Sequence, residues 1–163
     1  MIFGIVLNIT AGFGAFIFGF LDDRIGAKKT IQISNYGLII ACVIAVLAPN
    51  RDLFTIGSFL IHGSHLFWLA GILIGICSGP NQASSRSLMS RFIPSEKKNE
   101  FFGFFAFSGK ATAFIGPFFV GVLTSLYGIR AGISVVAVLV LAGVFVLNTV
   151  DEDEGTKRAL DNS

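Results

Sequence analysis

Five stretches of this chain run for about twenty residues almost without a charged side chain, and such stretches fit one solvent. A helix crossing the hydrocarbon of a bilayer needs roughly 20 mostly apolar residues. The runs at 2–21, 30–48, 66–90, 101–126 and 131–150 each supply that. Asp22, Asp23 and Arg24 end the first, and Pro49-Asn50-Arg51-Asp52 closes the second with turn-forming residues. The uncharged stretch between Asp52 and Arg86 is too long for one helix and too short for two. Its first part, 53–65, therefore reads as an external, interfacial lead-in to the third span. Membrane barrel strands are excluded, because they alternate apolar with polar over about 10 residues. In lipid every backbone amide must be satisfied within its own segment, so the fold class is all-α, a polytopic transmembrane helix bundle.

Composition agrees: 53% of the 163 residues are hydrophobic and only 13% charged, about half the charge of a soluble domain. This excludes a soluble enzyme, a disordered chain and a disulfide-stapled module. The twelve Lys and Arg are dispersed, which argues against a nucleic-acid surface. Cys42 and Cys77 fall inside spans and read as small hydrophobes. No cofactor is implied. Nor is a metal, since His62 and His65 offer two ligands without a third.

Basic residues in short loops orient a membrane protein. Arg24, Lys28, Lys29, Arg86, Arg91, Lys97, Lys98, Lys157 and Arg158 share one side, against Arg51 and Arg130 on the other. This places the 22–29 and 91–100 loops and the polar tail 151–163 in the cytoplasm. The chain then begins outside with an odd number of helices, which leads to the expectation of a missing N-terminal part.

The loop after the first span reads Gly19-Phe20-Leu21-Asp22-Asp23-Arg24-Ile25-Gly26-Ala27-Lys28-Lys29. Gly19 removes a side chain where helices approach closely. Gly26 permits a positive φ at a turn, and Arg24 and Lys28 anchor the loop at the interface. A carboxylate such as Asp23 suits the N-terminus of a neighbouring helix. This G-x-L-x-D-R-x-G-x-K-K pattern resembles the loop signature of the major facilitator superfamily at every fixed position. The resemblance implies five spans of a six-helix half, with the C-terminal half favoured by the charged tail. It also implies a gating role for Gly19, Asp23, Arg24, Gly26 and Lys28.

A second stretch, Gly79-Pro80-Asn81-Gln82-Ala83-Ser84-Ser85-Arg86-Ser87, continues through Ile93-Pro94, Glu100-Phe101-Phe102-Gly103 and Ser108-Gly109-Lys110. It resembles the vacuolar amino-acid effluxer family and its bacterial relatives, departing at Pro80, where that family has a second glycine. The resemblance implies a secondary transporter working by alternating access, with amino acids as its solute. It also implies a bilayer setting: the cell membrane in a bacterium, the vacuolar membrane in a fungus.

The residues themselves nominate a site. Gly71, Gly75 and Gly79 form a small-residue stripe suited to close helix packing. Asn81 and Gln82 at membrane depth need partners, from another helix or from a wet cavity. Gln82 and Arg86 are four apart and share a helix face. Lys110 lies well inside the fourth span, where an ammonium costs about 2.5–3.5 kcal/mol even on the mild insertion scale. Asn81, Gln82, Arg86 and Lys110 are thus the candidate solute-binding residues, and Gly116-Pro117 is a candidate helix break. Two other readings were weighed. A Ser–Lys intramembrane enzyme is disfavoured because Ser108 and Lys110 do not face each other on a helix. A non-transporting subunit or truncated remnant that only packs with a partner half is favoured by the odd helix count.

Overall fold

The computed structural model describes residues 2–48, 54–56, 59–61 and 63–161. Among the described residues, five helices or helix pairs are long and apolar enough to cross a membrane, which matches the five apolar runs. They are α1 (Ile2–Ile25), α2 (Ala27–Leu47), α3 (Gly63–Phe92), the pair α4 (Lys98–Thr112) and α5 (Ile115–Tyr127), and α6 (Ile129–Asn148). A two-stranded hairpin, β1 (Phe54–Ile56) and β2 (Phe59–Ile61), pairs Phe54 with Ile61 and Ile56 with Phe59. It occupies the stretch expected as a lead-in; His62 lies outside the described residues.

Two joints are tight, and both use glycine. Gly26 has φ +89° and Gly128 has φ +90°, a region L side chains rarely enter. α1 runs through the charged triplet 22–24 to Ile25, past its expected end, and only Gly26 separates it from the start of α2 at Ala27.

α1 packs mainly on α3, α2 on α3 and α6, and α5 on α6. Phe3 lies beside Gly71 at one end and Asp22 beside Arg91 at the other, so α1 and α3 run parallel. The glycine stripe makes the approach possible. A Cβ at Gly75 would strike Thr10 Oγ1 and the Leu7 carbonyl, and one at Gly79 the Ala11 carbonyl. Pro80, buried inside α3, has no N–H for the Ile76 carbonyl. That carbonyl abuts Gly14 of α1, where a side chain has no room.

The fourth span consists of two helices. The break falls at Ala113–Phe114, just before Gly116-Pro117. Pro117 cannot donate to the Ala113 carbonyl, and its ring crowds that oxygen. The chain makes a tighter turn there instead, with the Ala113 amide on the Lys110 carbonyl at 3.3 Å. At the opposite end of the bundle, Arg130 donates to the Ala48 carbonyl at the end of α2 (3.2 Å).

The polar tail is not extended. Glu152–Asp161 forms a further helix, α7, which seats on the end of α3. Asp151 caps it, accepting from the Asp153 and Glu154 amides at 3.0 Å each. The Glu154 amide foremost, then the Asp153 amide and nearby Lys28 and Lys157, hold the Asp151 carboxyl below its ordinary range. A lowered carboxylate contributes above its unfolded pKa and is lost as pH falls through the folded one. The first turn of α7 should therefore stay ordered at mildly acidic pH and fray only in stronger acid. Amide exchange at Asp153 and Glu154 measures this; fraying already at neutral pH would contradict the capping role.

Candidate functional site

Polar groups gather in two places, one at membrane depth and one at the end of the bundle that carries α7. At membrane depth, Asn81 on α3 donates through its side-chain amide to the Asn35 side-chain carbonyl on α2. Asn35 is buried. The partner that an amide in hydrocarbon requires is thus a second amide on the neighbouring helix. Ser85, one turn on, returns its hydroxyl to the Asn81 carbonyl at 2.7 Å. These three residues line a cavity of about 370 Å³, together with Ile31, Leu88, Phe105 and Leu147. It is otherwise apolar, and Phe105 is the contribution of α4.

Gln82, Arg86 and Lys110 do not line this cavity. All three are exposed. Gln82 and Arg86 share the face expected from their spacing, and that face turns away from the neighbouring helices. Lys110 sits in the last turn of α4, directly before the break. The structure therefore separates the four nominated residues: Asn81 points into the bundle, and the other three point out of it.

The charged end is built differently from the expectation. Gly26 cannot cap α2 with a side chain, so the first amides of that helix need a distant acceptor. Glu152 supplies it. Its two carboxylate oxygens accept from the Ala27 and Lys28 amides, at 3.1 Å each. Arg91 at the end of α3 donates to Glu152 Oε1 at 3.0 Å and to Asp22 Oδ1 at 3.1 Å. One guanidinium thus holds two carboxylates from opposite ends of the chain. A cleft of about 820 Å³ opens beside it, lined by Lys28, Lys29, Asp151 and Lys157 among others.

Asp23 and Arg24 are exposed and stand outside this cluster. At the N-terminus of α2 the carboxylate is Glu152 rather than Asp23, and of the two neighbouring acids Asp22 and Asp23 it is Asp22 that Arg91 of α3 holds. The reason is rotation: adjacent residues on a helix point about 100° apart, and it is Asp22 that faces α3. Gly19 has open space where a Cβ would be, so the close approach expected there is not made among the described residues. Gly26 has the positive φ expected of it. Asp22, Arg91 and Glu152 were missed as a group because their sequence separations carry no local signal. The one signal in the sequence that could have found them is that a helix starting behind a glycine lacks a side-chain cap and calls for an outside acceptor.

Comparison with known proteins gives this arrangement a family. The model of the vacuole effluxer Atg22-like family matches residues 1–160. YxiO of Bacillus subtilis, described as an uncharacterized MFS-type transporter, is 27% identical over 153 residues, covering 93% of this chain and 32% of that protein. Autophagy-related protein 22 of Saccharomyces cerevisiae is 29% identical over 159 residues, with 95% of this chain and 30% of that protein covered. Its namesake in Cryptococcus neoformans is 26% identical over 164 residues, covering 97% and 30%. No solved structure matches the chain. The chain spans about a third of the length of these curated relatives. With the family model matched along nearly all of its length, and five apolar spans joined through the glycine turn at Gly26, the chain belongs to the vacuole effluxer Atg22-like family.

Proposed function

We propose that this chain is the C-terminal bundle of a secondary transporter, which moves a small solute by alternating access of two halves around a shared path. The single observation that carries the reading is the exposure of Gln82, Arg86 and Lys110 on helices otherwise fit for lipid. An amide, a guanidinium and an ammonium on apolar spans have no place against acyl chains. They fit the wall of a water-filled path closed by a second bundle. The name of the family supports an effluxer, and amino acids are the solute class we assign. A zwitterion would find an anion-binding ammonium in Lys110 and a hydrogen-bonding amide in Gln82.

The excess of basic residues at the α7 end supports placing that end, with the C-terminus, in the cytoplasm. Asp23 and Arg24 then face the other half and latch it there. The break before Pro117 gives α4 freedom to tilt while α5 stays on α6.

The test is flux. In the full-length gene product, reconstituted in liposomes and supplied with labelled amino acids, Lys110→Ala should lower the flux at least tenfold at equal protein, with Lys110→Arg retaining more. Equal flux in Lys110→Ala would remove this residue from the path.

A further inference from the structure

The end of α7 is fastened in an unusual way. Glu152, Gly155 and Ala159 lie on one face of the helix. That face meets three different things. Glu152 reaches the α2 amides and Arg91. Gly155 lies against the Phe92 ring, which a Cβ there would approach to 2.8 Å. Ala159 is buried, at 7% exposure. The opposite face carries Glu154 and Arg158, an exposed ion pair that adds little to holding the helix down. Small side chains at 155 and 159 bury little apolar surface, so they cannot fix α7 by themselves. Among the described side chains of α7, Glu152 makes the hydrogen bonds that tie the helix to both α2 and α3.

We infer that α7 is a strap. Its Glu152 carboxylate, seated on the free amides of α2 and clamped by Arg91, fixes the α1–α2 turn and so biases which side of the membrane the solute path opens to. Three features of the geometry support the inference. The acceptor sits where two otherwise unfulfilled N–H groups converge, so its loss leaves backbone donors open as well as breaking an ion pair. Gly26 is needed twice over, for its φ of +89° and because a Cβ there would come to 3.1 Å from the Glu152 carboxylate. The turn that the strap holds is also the one that displays Asp23 and Arg24 outward, so loosening the strap alters how those side chains are presented. Lys28 adds a second tie, its ammonium donating to the Val150 carbonyl just ahead of α7.

The part of the inference concerning access rests on the transporter reading, and the experiment separates the two. In the full-length protein with its other cysteines replaced, a thiol is introduced by Ala159→Cys or, separately, by Gln82→Cys. A membrane-impermeant maleimide is then applied from each side of proteoliposomes. The thiol at 159 should react slowly in the otherwise unaltered protein and at least tenfold faster with Glu152→Gln. The ratio of labelling from the two sides at position 82 should shift at least threefold in the same background. Exchanging the charges, with Arg91→Glu and Glu152→Arg together, should not restore slow labelling at 159. An arginine can form an ion pair but cannot accept the Ala27 and Lys28 N–H groups. Unchanged labelling at 159 in Glu152→Gln would overturn the strap, and so would recovery in the charge exchange. Faster labelling at 159 with an unchanged ratio at 82 would make α7 a passive cover and overturn its control of access. Absence of amino-acid flux in the unaltered protein, with both labelling changes present, would count against transport and still support the strap.

Discussion

Replacing Gly75 with leucine is expected to dismantle the bundle, leaving little monodisperse protein after detergent extraction. The reason is where the clash falls. A side chain at 75 meets the Leu7 carbonyl as well as Thr10 Oγ1, and backbone cannot swing aside as a side chain can. α1 makes most of its contacts with α3, so a wedge at this point removes its principal support. Overpacking a filled site typically costs 1–3 kcal/mol. Driving two helix backbones apart also forfeits the contacts made above and below the wedge, so a loss of about 3 kcal/mol or more is expected. The control is Gly12→Leu. Gly12 lies on α1, the helix that Gly75 of α3 faces, but a Cβ there meets nothing within 4 Å. Fluorescence-detected size exclusion with thermal melts of both variants provides the measurement. Equal recovery of the two would show that the glycine stripe does not govern the α1–α3 contact.

Arg91→Ala is expected to have the second largest effect. The Asp22 and Glu152 side chains are only 10% and 19% exposed, and the guanidinium between them is their common counter-charge. Breaking a fully buried pair by deleting one partner costs about 3–5 kcal/mol. Arg91 itself is 34% exposed, so water screens part of the loss, and about 2 kcal/mol is the fitting expectation. Two facing carboxylates are left behind. Adding Asp22→Asn to Arg91→Ala should therefore recover part of the stability that the single change loses. A double-mutant cycle by thermal unfolding reads this non-additivity. If the two changes simply add, Arg91 and Asp22 are not coupled, and the cluster is a chance proximity of charges.

The spans were legible because hydrocarbon imposes one rule over twenty residues at a time, and a run such as 131–150 can satisfy it in only one way. The turn at Gly26 was legible too, since a single glycine between two helices announces a backbone angle that other residues avoid. The glycine stripe of α3 was readable as a packing face, and it packs on α1. What escaped the sequence depends on pairing across distance. Nothing local to Glu152 says that it will cap a helix that starts at Ala27, and nothing local to Arg91 says that it will bridge two acids. Asp22 and Asp23 look interchangeable until the rotation of α1 against α3 separates them. The same holds at membrane depth. Asn81 and Gln82 are neighbours with similar chemistry, yet one meets Asn35 while the other stays exposed. The helical tail was hidden by composition: a run of acids reads as solvated until Asp151 caps it and α3 gives it a seat.

The parallel contact between α1 and α3 has a consequence for biogenesis. The helix that supports α1 is made only after α2 and the hairpin have been synthesised, a delay of several seconds at roughly 5–20 residues per second. During that interval the face of α1 that will meet the glycine stripe of α3 stays bare in the bilayer. Quality-control proteases that survey unassembled membrane segments therefore have a defined window, which closes when α3 arrives.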